Sequence, residues 1–370
     1  MLVADIIRVL EQIAPPALQE SYDNAGLITG RADQEVRGVL VCLDSTEAII
    51  REAASRGCNM VVAHHPIVFR GLKKITGSNY VERAVELAIR EGIAIYAIHT
   101  NLDNVLHRGV NQRIAERLGL QNLSILAPMR EQLFKLETFV PHAHANAVRE
   151  ALFQAGAGNI GSYDACSFNL EGKGTFRAGA GSNPFVGTQG ELHTEAETYI
   201  QVIAPRFRER SIVHALYKAH PYEQPAYQLI PMMNVWQEAG AGMIGTLPEP
   251  MPVQDFLRHV QNAMELPGFR LAEGPQSSIR KVAFCGGAGS FLTAKALQAG
   301  ADAYITADIK YHEFFDHEER MWLLDIGHFE SERFTINLLF DVIREKFPKF
   351  AVLLPETNTN PVKYYPNPWI

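Results

Sequence analysis

Three apolar runs in the first hundred or so residues, VRGVLVCLD, NMVVAHHP and IAIYAIHTNLD, are separated by stretches of helical periodicity, STEAIIREAASRG and NYVERAVELAIREG. Runs with so little polar alternation predict strands buried on both faces. Such strands, joined by helices, make a parallel sheet between helical layers. Ser45 is placed to cap the first of these helices, and Gly57 and Gly92 to end the two. NQRIAERLG reads as a third helix, closed by Gly119. The same rhythm returns after Met243. PVQDFLRHVQNAM and FLTAKALQAG are helical, and KVAFCGGAGS, ADAYITAD, MWLLDIGH and FAVLLPE are strands. SERFTINLLFDVIREKF is an amphipathic helix, with Ser331 as its N-cap.

The stretch between interrupts this pattern. LFKLETFVP alternates as a half-buried strand, HANAVREALFQAGAG is helical, and a Gly-rich segment leads to TYIQVIAP, RSIVHALYKAH and PAYQLIPM. The order expected is β-α-β-β-α-β, a ferredoxin-like unit. The chain therefore divides into a discontinuous α/β body with mostly parallel sheets, residues 1–127 and 232–370, and an α+β insert, residues 128–231.

Composition narrows the function classes. Apolar residues make up 47% and charged residues 20% of the 370, as in soluble globular proteins. No apolar run reaches the roughly 18 residues of a spanning helix. MLVADIIRVLEQIAP reads as an amphipathic helix rather than an export signal. The four cysteines form no CxxC pair, which suits a reducing, cytoplasmic compartment, and none suggests a thiolate metal site. A formal charge of −7 argues against nucleic acid and membrane surfaces as partners. RGLKK at 70–74 reads as a solvated basic loop.

Almost every strand of the α/β body ends in something polar: Asp44, His64–His65, His99 with Asp103, Gly286–Gly287, Asp308, and Asp325 with His328. Ligands of open α/β sheets bind beyond the carboxyl ends of the strands, so these residues can converge there. His64, His65, Asp103, His328 and Glu332 are imidazoles and carboxylates, a donor set suited to Zn²⁺, Fe²⁺ or Mn²⁺. Five donors exceed one tetrahedral ion and suit two divalent ions that share carboxylates. Each also has a plain structural use: Asp103 as a turn residue, Glu332 in the first turn of the last helix. Adjacent strand residues face opposite ways, so a site shared by His64 and His65 predicts irregular backbone there. His312 is a candidate for substrate contact or proton transfer, and His107 is a solvated or supporting group.

SYDNAGLITG at 21–30, VVAHHPIVF at 61–69, HTNLDNVLHRGVN at 99–111, VAFCGGAGS at 282–290, ITADIKYHEFFD at 305–316 and DIGHFESE at 325–332 resemble the NIF3-like family, also called GTP cyclohydrolase 1 type 2 homologs. The likeness is to its long bacterial form. The insert, with GTFRAGAGSNPFVG and AHPYEQPAY, resembles a PII- or CutA-like domain. NVLHRG after Asp103, and Ala307 in ITAD, depart from the family's glycines. The resemblance implies a dinuclear centre of His64, His65, Asp103, His328 and Glu332, with the two carboxylates bridging. It implies a toroidal homohexamer whose trimer-forming inserts cap the openings, and a metal-dependent hydrolase acting on a small molecule, of GTP ring-opening or phosphoester type. No GxxxxGK[ST] loop is present to cradle a nucleotide. GGAGS at 286–290 serves as either an anion cradle or a structural turn. The alternative is a non-enzymatic metal-handling or regulatory protein with a sensor insert; fold alone does not decide.

Overall fold

The structure, a computed structural model, describes residues 1–365. The chain separates into two compact units: Met1–Pro128 together with the chain from Glu238 onward, and Met129–Gln237.

The first unit holds two sheets. One has five strands in the order Gly26–Thr29, Ala94–Ala97, Met60–His65, Val39–Asp44 and Val352–Leu353; the first pair is antiparallel and the rest are parallel. Its inner strands are buried at nearly every position, because helices Glu47–Ser55 and Tyr80–Arg90 pack Ile49, Ile50, Ala53 and Ala88 against Leu40, Val61 and Ile95. The other sheet runs Arg270–Ala272, Trp322–Asp325, Ala303–Ala307, Ser278–Ala288, Val235–Pro252 and Gln121–Arg130. Its three strands Ser278–Ala288, Ala303–Ala307 and Trp322–Asp325 are parallel. Leu292 and Ala296 cover Ala283, Tyr304 and Leu323 on one face.

Helix boundaries correct two caps. Thr46, not Ser45, caps Glu47–Ser55, its Oγ1 accepting from Ile49 N–H. Ser45 is buried one residue too early, with no partner for its hydroxyl among the described residues. Ser331 does not start the last long helix. It lies inside a separate short helix, His328–Glu332, and the long helix begins at Thr335. Its hydroxyl instead donates to the carbonyl of His328 at 2.8 Å and accepts from Gly287 N–H at 2.9 Å, tying two strand ends together.

The second unit has the order β-α-β-β-α-β: Leu133–Pro141, Ala145–Gln154, Phe168–Arg177, Leu192–Pro205, Glu209–Ala219 and Tyr227–Met232. Its antiparallel sheet is ordered Phe168–Arg177, Leu192–Pro205, Leu133–Pro141, Tyr227–Met232, which is ferredoxin-like. One face, with Phe134, Leu136, Val140, Ile200 and Val202, packs on Val148, Leu152, Ile212 and Leu216 of the helices. The second strand, FNLEGKGTFR, falls in the segment read as Gly-rich.

Candidate metal centre

Both sheets of the first unit deliver side chains to one place, so the convergence is between two sheets rather than along one. Met60–His65 pairs in register with Val39–Asp44 as far as Asp44 and His65, without the expected irregularity. The two imidazoles nevertheless approach each other, with ring centroids 4.9 Å apart. They do so because both reach past the strand tip toward Glu332, which arrives from the other sheet. His65 Nε2 is 2.8 Å from Glu332 Oε2, and His64 Nε2 is 3.8 Å from Glu332 Oε1. His328 Nε2 adds a third approach to Glu332, at 3.2 Å. Asp103 closes the short helix Thr100–Asp103, and its Oδ1 lies 3.6 Å from His64 Nε2.

The imidazoles share one arrangement. His65 Nδ1 is held by Asp44 at 2.8 Å, His328 Nδ1 by Asp308 at 2.7 Å, and His64 Nδ1 by the carbonyl of Ile98 at 2.8 Å. An acceptor at Nδ1 fixes a proton there and turns Nε2 toward the centre, as outer partners of metal-bound histidines do. Asp308 adopts a left-handed backbone (φ +57°), sparsely used outside glycine. His99 repeats the pattern, its Nδ1 2.8 Å from Asp23, and it groups with His64 and His65. Sequence reading placed His99, Asp44 and Asp308 at strand ends but gave them no role. Asp23 lay within SYDNAGLITG but was given no role.

Glu332 is 2% exposed and seated on glycine. A Cβ at Gly287, where φ is +64°, would run into Glu332 Oε1, and one at Gly286 would meet the Val110 side chain at 2.8 Å. GGAGS therefore makes room for a carboxylate of this chain. Gly287→Ala is expected to displace Glu332 at some cost in stability and weaken metal retention by at least about tenfold, read by elemental analysis after dialysis.

The centre is built of acceptors. Among the described residues His64, fully buried, has no partner for Nε2, nor has Asp103 for Oδ1. Buried polar atoms are rarely left so. Burial opposes charge on His65, but hydrogen bonds to Asp44 and Glu332 outweigh it and lift its pKa to about 10. For His328 the same opposition from burial is overcome by Glu332 and Asp308, and its pKa rises to about 11. Burial, then the charge of Glu332, push Asp103 up to about 7. The cluster thus draws in positive charge. Three groups offer ligand atoms within 4.8 Å of one another: His64–His65–His99, His65–His328–Glu332 and His64–Asp103–Glu332. These residues fit a divalent metal.

His65, Asp103, His328 and Glu332 line a cavity of about 960 Å³, together with Tyr22, Phe69, Phe291 and Arg270; His64 lies buried behind them. His312 and His107 are not among its lining residues. His312 is exposed on the 3-10 helix Tyr311–His317, and His107 is exposed beside Glu238, 3.9 Å away. No helix of the described residues is long and apolar enough to cross a membrane.

Known proteins resemble this chain over most of its length. A protein of Halalkalibacterium halodurans named GTP cyclohydrolase 1 type 2 homolog is 41% identical over 325 residues, covering 87% of each chain. One of Bacillus subtilis with the same name is 35% identical over 366 residues, covering 97% of each. The crystal structure of a Bacillus cereus protein related to NIF3 superposes with a TM-score of 0.87 at 36% identity, over 98% of this chain and 99% of that one. Residues 1–361 match the family Duf34/NIF3 (NGG1p interacting factor 3), and the chain belongs to that family.

Proposed function

We propose that the protein is a metal-dependent hydrolase. His64, His65, Asp103, His328 and Glu332 would hold two divalent cations, zinc before iron or manganese. The carrying observation is the pair of buried, partnerless acceptors, His64 Nε2 and Asp103 Oδ1, facing an almost wholly buried Glu332. When bound, such ions polarise a susceptible bond and bring the pKa of water toward neutrality.

The chain's own residues do the rest. Asp44 and Asp308 keep the Nδ1 protons of His65 and His328, so both imidazoles would turn an Nε2 lone pair to a bound cation. Asp103 and Glu332 would supply the carboxylate oxygens that hold the ions. His99, fixed by Asp23, is positioned to take or release a proton at Nε2. Tyr22, Phe69 and Phe291, all more than a third exposed at the cavity, offer flat apolar surface to a ring-bearing substrate, which suits the GTP cyclohydrolase name of the relatives as well as a nucleotide phosphoester. His312 has no part in this reading. The working particle is a homohexamer, checked by its sedimentation mass.

The test is a panel of GTP, other nucleotides and phosphodiesters, run with protein of known metal content beside His65→Ala and Glu332→Ala. Turnover should fall to background on chelation and return with added metal. Turnover that persists without metal would sink the hydrolase reading. Two equivalents of metal without turnover on any substrate would favour metal handling.

A further inference from the structure

Two motifs of the insert, GTFRAGAGSNPFVG and AHPYEQPAY, play no part in the metal centre, yet they line one cavity of about 840 Å³ on the sheet face opposite the helices. That size lies within the range of small-molecule sites. Its walls are aromatic. Phe139 and Tyr199 lie 5.5 Å apart between ring centroids, Phe176 and Tyr222 6.0 Å, and Phe185 and Tyr222 6.3 Å.

One carboxylate stands among these rings. Glu197 lines the cavity although it is only 7% exposed. Its Oε1 accepts from the Tyr222 hydroxyl at 2.9 Å. Its Oε2 occupies the space that a Cβ at Gly174 would fill, so the glycine admits the carboxylate. Tyr222 is itself held. Its N–H donates to His220 Nδ1 at 3.1 Å, and His220 Nε2–H donates to the carbonyl of Phe139 at 2.9 Å. Glu223 fastens the Gly-rich loop over the cavity by accepting from Asn183 N–H at 3.2 Å.

On the adjacent strand Glu137 pairs with Lys135 at 2.7 Å. Among the described residues Glu197 has only the hydroxyl. The lining as a whole carries Glu171, Glu197 and Glu223 against Lys173 alone. A buried carboxylate without a counter-charge is costly, and aromatic faces attract cations. We infer that this cavity of the insert binds a small organic cation, a primary or quaternary ammonium on an apolar body, with its charge on Glu197 and its body among Phe139, Phe176, Phe185, Tyr199 and Tyr222.

The full-length protein would be titrated calorimetrically with benzylammonium and, separately, with benzyl alcohol at neutral pH. Saturable binding of the ammonium and at least about tenfold weaker binding of the alcohol are expected. Glu197→Gln, which keeps shape and the Tyr222 contact, should weaken the ammonium by a similar factor. Equal affinity for the two probes, or no saturable binding by the unaltered chain, would overturn the inference whatever becomes of the variant. So would a Glu197→Gln protein that binds the ammonium normally. A variant that changes its sedimentation mass while the unaltered chain ignores the amine would mean that Glu197 meets another copy of the chain.

Discussion

Glu332→Gln is expected to leave the protein folded at neutral pH with its metal gone. Three imidazoles converge on this one carboxylate, at 2.8, 3.2 and 3.8 Å. An amide has almost the same shape but no charge, and it presents a nitrogen to one of those lone pairs. Outer partners of metal-bound histidines are worth about ten- to a hundredfold in metal affinity. A carboxylate shared by the whole group should exceed that range, so retention after dialysis should fall by more than about a hundredfold. In metal-free protein the loss should take another form. His65 and His328 keep their partners Asp44 and Asp308 but lose Glu332, so their pKa values should fall from about 10 and about 11 toward the ordinary imidazole range. Elemental analysis checks the first effect and imidazole proton resonances against pH check the second. A Glu332→Gln protein that keeps full metal would remove the carboxylate from the centre.

Metal-free protein should lose stability as pH rises from about 4 toward about 11, and added zinc should reverse most of that loss above neutrality. His65 and His328 bind protons more tightly folded than unfolded. Their contribution is fully present below the unfolded pKa of about 6.5 and disappears as pH rises through about 10 and about 11. Asp103 acts in the same direction. Its folded pKa of about 7 stands above the unfolded value near 3.8, so ionising it costs stability between those two points. A metal needs the same groups deprotonated, so proton competition weakens binding at low pH and fades at high pH. The gap in Tm between zinc-loaded and metal-free protein should therefore widen from pH 5.5 to pH 8, by several degrees. A gap that narrows over that interval would contradict a cation held by these imidazoles.

Much of this centre was visible in the chain because strand ends concentrate polar residues: His64 and His65 before Pro66, Asp103 after IAIYAI, and His328 with Glu332 after MWLLD. What escaped has physical reasons. Asp44 and Asp308 look like ordinary turn carboxylates until their partners' ring nitrogens are seen 2.8 and 2.7 Å away. Asp23 sits in a turn far from His99 in sequence, and only the fold brings them together. Ser331 looked like a cap because it precedes a helical pattern, but Gly287 N–H claims its hydroxyl. His65 and His64 were expected to need distorted backbone, since neighbours on a strand diverge. Their meeting point lies beyond the strand tip, where long side chains converge again. The strand FNLEGKGTFR was hidden because glycines at 172 and 174 break the apolar alternation, and Gly174 does so to admit Glu197.

His65 and Glu332, 2.8 Å apart, are separated by 267 positions in the chain. Ions gripping both would turn the intervening polypeptide into a closed ring, with the entire insert inside it. Closing a loop of that length removes on the order of 5 kcal/mol of freedom from the unfolded chain. The ring also has a mechanical meaning. A protease that nicks the insert would leave two pieces of the α/β body joined through the clasp as well as through the sheets they share.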